Sequence, residues 1–178
     1  MKPGGIRLLN FLAYQVGWFS TVLGAAHGIG WLGPLFVGGL TYRHVILATD
    51  RRAEITMLVI VTFAGCLFDQ LMLTAGWVSY PASDWPASLL PVWMVGLWLS
   101  FATTLNVSTR WLHKRSLLAL LLGAIGGPLA YAGGARLGAM SWSPDHPVGL
   151  ALGVGIGLLL PFQCLVAAKF DGFGERLT

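Results

Sequence analysis

The stretch ITMLVIVTFAGCLFDQLMLTAGWV, residues 55–78, decides the fold of this chain because it contains a single charged side chain, Asp69. A helix needs about 20 mostly apolar residues to cross roughly 30 Å of hydrocarbon, so this stretch predicts a membrane-spanning helix. Five further stretches meet the same criterion: residues 6–26, 28–48, 89–107, 117–140 and 148–168. Because they leave only tails and short loops, we predict one integral membrane domain over residues 1–178.

The composition supports a membrane protein. Hydrophobic residues make up 56% of the chain and charged residues only 10%, whereas a globular protein carries roughly 25% charged residues. The surplus of apolar surface has to face lipid. This excludes an ordinary cytoplasmic enzyme, a nucleic-acid-binding domain and a disordered tail. The fold class predicted is all-α, a polytopic bundle of six transmembrane helices.

The basic residues predict the orientation of the bundle. With the N-terminus inside, one side of the membrane holds Lys2, Arg7, Arg43, Arg51, Arg52, Arg110, Lys114, Arg115, Lys169 and Arg176. Arg136 alone lies towards the other side. Cytoplasmic loops are enriched in Lys and Arg, so we expect both termini in the cytoplasm. A cleaved signal peptide ending near Ala26 is the alternative for the first span, and Asn10 and Gln15 within its apolar run favour a retained helix.

Glycine spacing predicts close helix packing. The last span has Gly149, Gly153 and Gly157 at intervals of four. Lipid gives helices no hydrophobic reason to associate, so small residues supply the contact by letting backbones approach. Packing within the bundle is the favoured interpretation. A homo-oligomer through the same face is the alternative.

Asp69 is the first candidate for a functional site. A charge within hydrocarbon is costly, so such residues usually face the bundle interior and have a partner. Gln70 follows it, and Gly65 shares its helical face and leaves room there for another helix or a ligand. We expect Asp69 to face the fourth or fifth helix. Arg136, near Tyr131, is either its counter-ion or a residue that extends to the lipid headgroups.

A second polar set lies in the inner half of the bundle. Thr103 and Asn106 share a face of the fourth span, Asn10 and Gln15 lie in the first, and His44 is near the inner end of the second. These side chains either line a pocket for a lipid headgroup or tie helices together. We expect Asn106 to approach Asn10 or Gln15, so that hydrogen bonds join the two spans.

Signatures of familiar enzymes are missing from the sequence. The four histidines lie in separate segments, and the two cysteines lie in apolar runs without CxxC spacing. Neither pattern fits a zinc or di-iron site. We therefore predict no metal and no cofactor, and the residues do not decide whether the protein is an enzyme.

Several motifs along the chain are together typical of one family. They are Leu9-Asn10-Phe11, Gln15, Gly17-Trp18, Pro91-Val92-Trp93, Trp98, Phe101-Ala102-Thr103-Thr104-Leu105-Asn106, Trp111 and Gly126-Gly127-Pro128-Leu129-Ala130-Tyr131. On these motifs the chain resembles an uncharacterised bacterial inner-membrane family, catalogued as domain of unknown function 2878. The resemblance covers essentially the whole chain. It implies a small multi-pass protein of the inner membrane with a lipid-related role, and it supplies no catalytic residues.

Three functions are compatible with these observations. The first is binding or modification of a lipid or another membrane-soluble molecule within the bundle, in contact with membrane lipids and with other lipid-modifying membrane proteins. The second is a small transporter or channel that uses Asp69, which is the one acid that we place within the membrane. The third is a non-catalytic subunit that organises membrane enzymes.

The predicted topology is directly testable. Reporter fusions at Ser83 and at Lys114 are expected to report opposite sides of the membrane, with Ser83 outside, because an odd number of spans separates them. Signals from the same side, or a mature chain that starts near His27, would contradict the six-span topology.

Overall fold

The computed structural model describes residues 3–80, 85–143 and 145–174 and is helical, as predicted. The helices are α1 (Pro3–Ala26), α2 (Leu32–Leu47), α3 (Arg51–Thr74), α4 (Val92–Leu105), α5 (Ser116–Arg136) and α6 (Val148–Lys169). A single 3₁₀ turn, Arg110–Leu112, lies between α4 and α5 in the described part of the chain. Two short strands, β1 (Val78–Ser79) and β2 (Ser141–Trp142), pair antiparallel with Val78 opposite Trp142.

Three of the described helices, α3, α5 and α6, are long and apolar enough to cross a membrane. Helix α1 has 24 residues, whereas α2 and α4 have 16 and 14 and are shorter than the predicted spans 28–48 and 89–107. Pro91 sets the start of α4, because proline lacks the N–H that an earlier turn would require. After Leu105 the backbone turns, with the Val107 and Thr109 N–H groups donating to the Thr104 carbonyl.

Helix α3 begins four residues earlier than the predicted span 55–78. Asp50 caps it, since its Oδ1 accepts hydrogen bonds from the backbone N–H groups of Arg52 and Ala53, each at 3.0 Å. The helix ends at Thr74 because Gly76 adopts a φ of +72°, a conformation that glycine takes without strain. The shift brings Glu54 into the first turns of the helix.

The helices alternate in direction, so the bundle has two distinct ends. We call the end with β1 and β2 the strand end. The opposite end, which carries Arg43 at the end of α2, Arg51 at the start of α3 and the 3₁₀ turn Arg110–Leu112, is called the basic end. Gly138, with a φ of +87°, ends α5 at the strand end as Gly76 ends α3, and each turn leads directly into one of the two strands.

Helix α4 is the centre of the bundle. It packs against α1, α2 and α3, while α5 packs along α6, which also contacts α3. Glycines permit the closest approaches: a Cβ on Gly123 of α5 would lie 2.5 Å from the Ile156 carbonyl oxygen of α6. Gly153 and Gly157 face Ala124 of α5, so this part of the predicted glycine series is used within the bundle.

The contact at Gly123 generates a stability prediction. Gly123→Ala is expected to destabilise the protein by about 1–3 kcal/mol, because the new methyl group meets a backbone oxygen that cannot rotate away. Gly126→Ala in the same helix is the matched control, since nothing lies within 4 Å of its Cβ position. Thermal unfolding in detergent compares the two variants. Equal melting temperatures would show that α5 and α6 separate at little cost.

Candidate functional site

Asp69 is completely buried on α3 and hydrogen bonds to two other helices. The indole Nε1–H of Trp98 on α4 donates to its Oδ2 at 2.6 Å, and the hydroxyl of Tyr131 on α5 donates to its Oδ1. The prediction that Asp69 faces the fourth or fifth helix is confirmed, and it contacts both. We call these three residues the Asp69 cluster. Each carboxylate oxygen has a donor, as a buried acid requires.

Gly65 explains how Trp98 reaches Asp69. It lies one helical turn before Asp69 on the same face of α3, and a Cβ there would overlap the Trp98 ring. The space that the sequence left open beside Asp69 is therefore filled by an aromatic side chain of α4. Arg136 is exposed at the strand end, and Asp69 is not one of the acids that form ion pairs in the described part of the chain.

Gln70, the neighbour of Asp69, hydrogen bonds to the backbone just before α4. Its Oε1 accepts from the Leu90 N–H at 2.8 Å, and its Nε2 donates to the Ser88 carbonyl at 2.9 Å. These bonds hold the segment that leads into α4, which contains a turn closed by the Leu89 N–H and the Pro86 carbonyl. Gln70 is thus a tie between α3 and this segment and lies outside the Asp69 cluster.

A second buried acid, Glu54, was not anticipated from the sequence. Its side chain has no exposed surface, a hydrogen bond of 2.7 Å joins its Oε1 to His44 Nε2, and its Oε2 accepts from Asn106 Nδ2 at 2.8 Å. The backbone N–H of Gly172 donates to the same Oε2 at 3.0 Å. We call these four residues the Glu54 cluster. The expectation of a single acid within the membrane stays a prediction, but α3 begins before residue 55 and buries Glu54 in the bundle as well.

The Glu54 cluster holds the segment after α6 against the basic end. The Gly172 carbonyl accepts from the N–H groups of Thr49 and Asp50 at 2.8 and 2.9 Å. Arg110 Nη1 donates to Asp171 Oδ1 at 3.0 Å, and these two side chains form a partly buried ion pair. The chain after α6 is therefore held by α3 through Glu54, by the connection between α2 and α3, and by the 3₁₀ turn.

The first and fourth helices are neighbours joined by hydrogen bonds, as expected, but through other partners. Asn10 Nδ2 donates to the Thr103 carbonyl at 3.1 Å, and Asn10 Oδ1 accepts from the Ser108 hydroxyl at 2.7 Å. Asn106 lies between these contacts in the sequence and turns instead to Glu54. Gln15 is half-buried on α1, one turn beyond Phe11. Of the expected polar set, Asn10 and Thr103 join α1 to α4, Asn106 and His44 bind Glu54, and Gln15 belongs to neither contact.

A cavity of about 420 Å³ lies between α1, α4, α5 and α6. Its wall is almost wholly apolar and uncharged, and includes Phe11, Tyr14, Trp18, Met94, Leu97, Trp98, Phe101, Trp111, Leu122, Gly126, Tyr131, Ile156, Leu160 and Gln163. The wall residues run from Met94 to Thr104 in α4 and from Leu122 to Tyr131 in α5, which is roughly 14 Å along each helix. The cavity has room for an elongated apolar molecule.

The cavity is closed at one end and opens at the other. Trp18 of α1 packs against Gly133 of α5 and closes it towards the strand end. Phe11, Trp111 and Leu122 are all more than 40% exposed and form its mouth nearer the basic end. Trp98 and Tyr131 belong to its wall, so the Asp69 cluster fixes two of its side chains. No sequence pattern indicated this space, because its wall comes from four helices distant in sequence.

The Asp69 cluster generates a second stability prediction. Asp69→Asn is expected to change stability by less than about 1 kcal/mol, because its carbonyl can accept from Trp98 and its amide can donate to the Tyr131 oxygen. Asp69→Leu leaves two buried donors without an acceptor and is expected to cost roughly 2–4 kcal/mol. Thermal unfolding in detergent measures both, with exposed Asp145→Leu as the control. An Asn variant as unstable as the Leu variant would show that the negative charge itself is needed.

Comparison with known proteins identifies a family for this architecture. The family described as "Protein of unknown function (DUF2878)" matches residues 7–162, which include all six helices except the ends of α1 and α6. No curated protein and no solved structure matches the chain.

Proposed function

We propose that this chain, which belongs to the DUF2878 family, binds an apolar, membrane-soluble molecule in the cavity between α1, α4, α5 and α6. The observation that carries the proposal is the cavity itself, with its uncharged wall and a mouth formed by exposed apolar side chains. A molecule dissolved in the bilayer would enter between α1 and α5 without crossing water. The bound molecule would then be modified by another membrane protein, or be delivered to such a protein.

The proposal includes a membrane setting. We place all six helices in the cytoplasmic membrane of a bacterium, with both termini on the cytoplasmic side at the basic end. Large apolar side chains exposed on the outer faces, such as Leu35, Phe63, Leu129 and Leu150, would contact lipid. The short helix α4 is compatible with this setting because its neighbours surround it, and the turn after it has hydrogen-bond partners within the protein.

In this proposal Asp69 positions the cavity wall. Its carboxylate orients the Trp98 indole and the Tyr131 ring, and both rings line the cavity. A transporter that uses Asp69 would require a carboxylate oxygen open to a proton or a cation, whereas Asp69 has no exposed surface and each oxygen accepts a hydrogen bond from the protein. The geometry therefore favours binding over transport coupled to Asp69.

Filling the cavity tests the proposal. Gly126 is on the wall, and nothing lies within 4 Å of its Cβ position, so Gly126→Phe would place a ring in the mouth with little change to the fold. Gly149→Phe on α6 is the matched control, because it is equally unobstructed and lies outside the wall. Trp18, Trp98 and Trp111 line the cavity, so a brominated alkane bound there should quench tryptophan fluorescence.

The measurement is a titration of the detergent-solubilised protein with 1-bromoundecane. We expect saturable quenching for the unmodified protein and for Gly149→Phe, and its loss in Gly126→Phe. Probe dissolved in the micelle gives the same background for all three proteins, so the difference isolates the cavity. Identical titrations for Gly126→Phe and the unmodified protein would refute binding at this site.

A further inference from the structure

Gln163 is a buried amide on the wall of the cavity. Its side chain has no exposed surface, and its Nε2 donates to the Val61 carbonyl of α3 at 3.4 Å. Helix α3 contributes no residue to the wall, so this bond directs Nε2 away from the cavity. The Oε1 of the same amide accepts no hydrogen bond within the described part of the chain.

Four other polar side chains of the wall have hydrogen-bond partners, and Tyr14, Trp18 and Trp111 add one O–H and two N–H groups to the wall. The hydroxyls of Thr104 and Thr109 donate to the carbonyls of Phe101 and Thr104, at 2.7 and 3.1 Å. Trp98 and Tyr131 donate to Asp69. Of the buried side-chain atoms without a partner among the described residues, Gln163 Oε1 is the one that belongs to a residue of this wall. A buried acceptor without a donor is destabilising, so such an atom is a natural point of contact for a ligand.

We infer that the ligand is an uncharged amphiphile whose hydroxyl group donates a hydrogen bond to Gln163 Oε1, with its hydrocarbon portion in the apolar part of the cavity. This inference rests on the proposed function and adds the chemical class of the ligand. An acceptor oxygen selects for a donor, and a hydroxyl is the simplest donor that leaves a hydrocarbon chain neutral.

The wall also excludes charged headgroups. None of its residues is an Asp, Glu, Lys, Arg or His. A carboxylate or phosphate brought into this space would lose its hydration without gaining a cation. The carbonyl-type oxygen of Gln163 would also repel an anion. Fatty acids and phospholipid headgroups are therefore disfavoured, and long-chain alcohols and similar neutral hydroxyl compounds are favoured.

Four brominated probes of equal chain length test the inference through quenching of tryptophan fluorescence. They are 11-bromoundecan-1-ol, its methyl ether, 1-bromoundecane and, at pH 8, 11-bromoundecanoic acid. We expect the alcohol to bind about three- to ten-fold more tightly than the ether and the alkane, as one net hydrogen bond provides. The acid is expected to bind most weakly. In Gln163→Met, which keeps the side-chain length but lacks the amide, the alcohol should bind no better than the alkane.

The outcomes separate this inference from the proposed function. Equal binding of alcohol, ether and alkane by the unmodified protein would overturn the hydroxyl contact and leave apolar binding in place. An alcohol preference that persists in a folded Gln163→Met would overturn the role of Gln163. If Gln163→Met does not fold, the comparison of alcohol with ether on the unmodified protein decides. Failure of all four probes to bind would refute the proposed function as well.

Discussion

The structure depends on two buried carboxylates of α3, each of which requires hydrogen-bond donors from other parts of the chain. Glu54 and Asp69 lie on one stripe of the helix, 15 positions apart, or about 22 Å along its axis. Water does not reach either side chain, and an unpartnered carboxylate there would be very costly. Helix α4 supplies a hydrogen-bond donor to each carboxylate: Trp98 donates to Asp69, and Asn106 donates to Glu54. These two bonds fix the depth and rotation of the central helix against α3.

Other features follow from that fixed position of α4. Because Asn106 ends the helix at Glu54, the backbone turns early and offers Thr103 and Ser108 to Asn10, which secures α1. Asp69 also binds Tyr131, which draws α5 towards the same point from the other side. Helix α1 is thus held to α4 and helix α5 to α3, and α1 and α5 meet each other where Trp18 packs on Gly133. The cavity is the space between the helices on the basic-end side of this contact.

The sequence predicted the positions of the helices well, but only some of the hydrogen bonds between their buried side chains. Hydropathy located all six helices, and the cost of a charge in hydrocarbon correctly predicted that Asp69 faces inward. Glu54 was missed because hydropathy placed the start of the span after it. Asp50 is nevertheless a recognisable N-cap, and it sets the start of α3 four residues earlier. The partner of Asn106 could not be deduced, since Asn10, Gln15 and Glu54 are all suitable for an amide. Which one it meets depends on the rotation of α4, to which the packing of Trp98 against Gly65 contributes.

The two clusters divide the bundle into parts with different roles. At the basic end, Glu54 binds three partners and secures the chain after α6, so both of its carboxylate oxygens have hydrogen-bond partners. Nearer the strand end, Asp69 secures only side chains, and these form part of the cavity wall. Several buried oxygens lack a partner among the described residues, including Asn106 Oδ1 and Ser100 Oγ, and Gln163 Oε1 is the one that belongs to the cavity wall. In a molecule with so few charges, an unmatched polar atom beside a cavity is therefore the most direct guide to where a ligand binds.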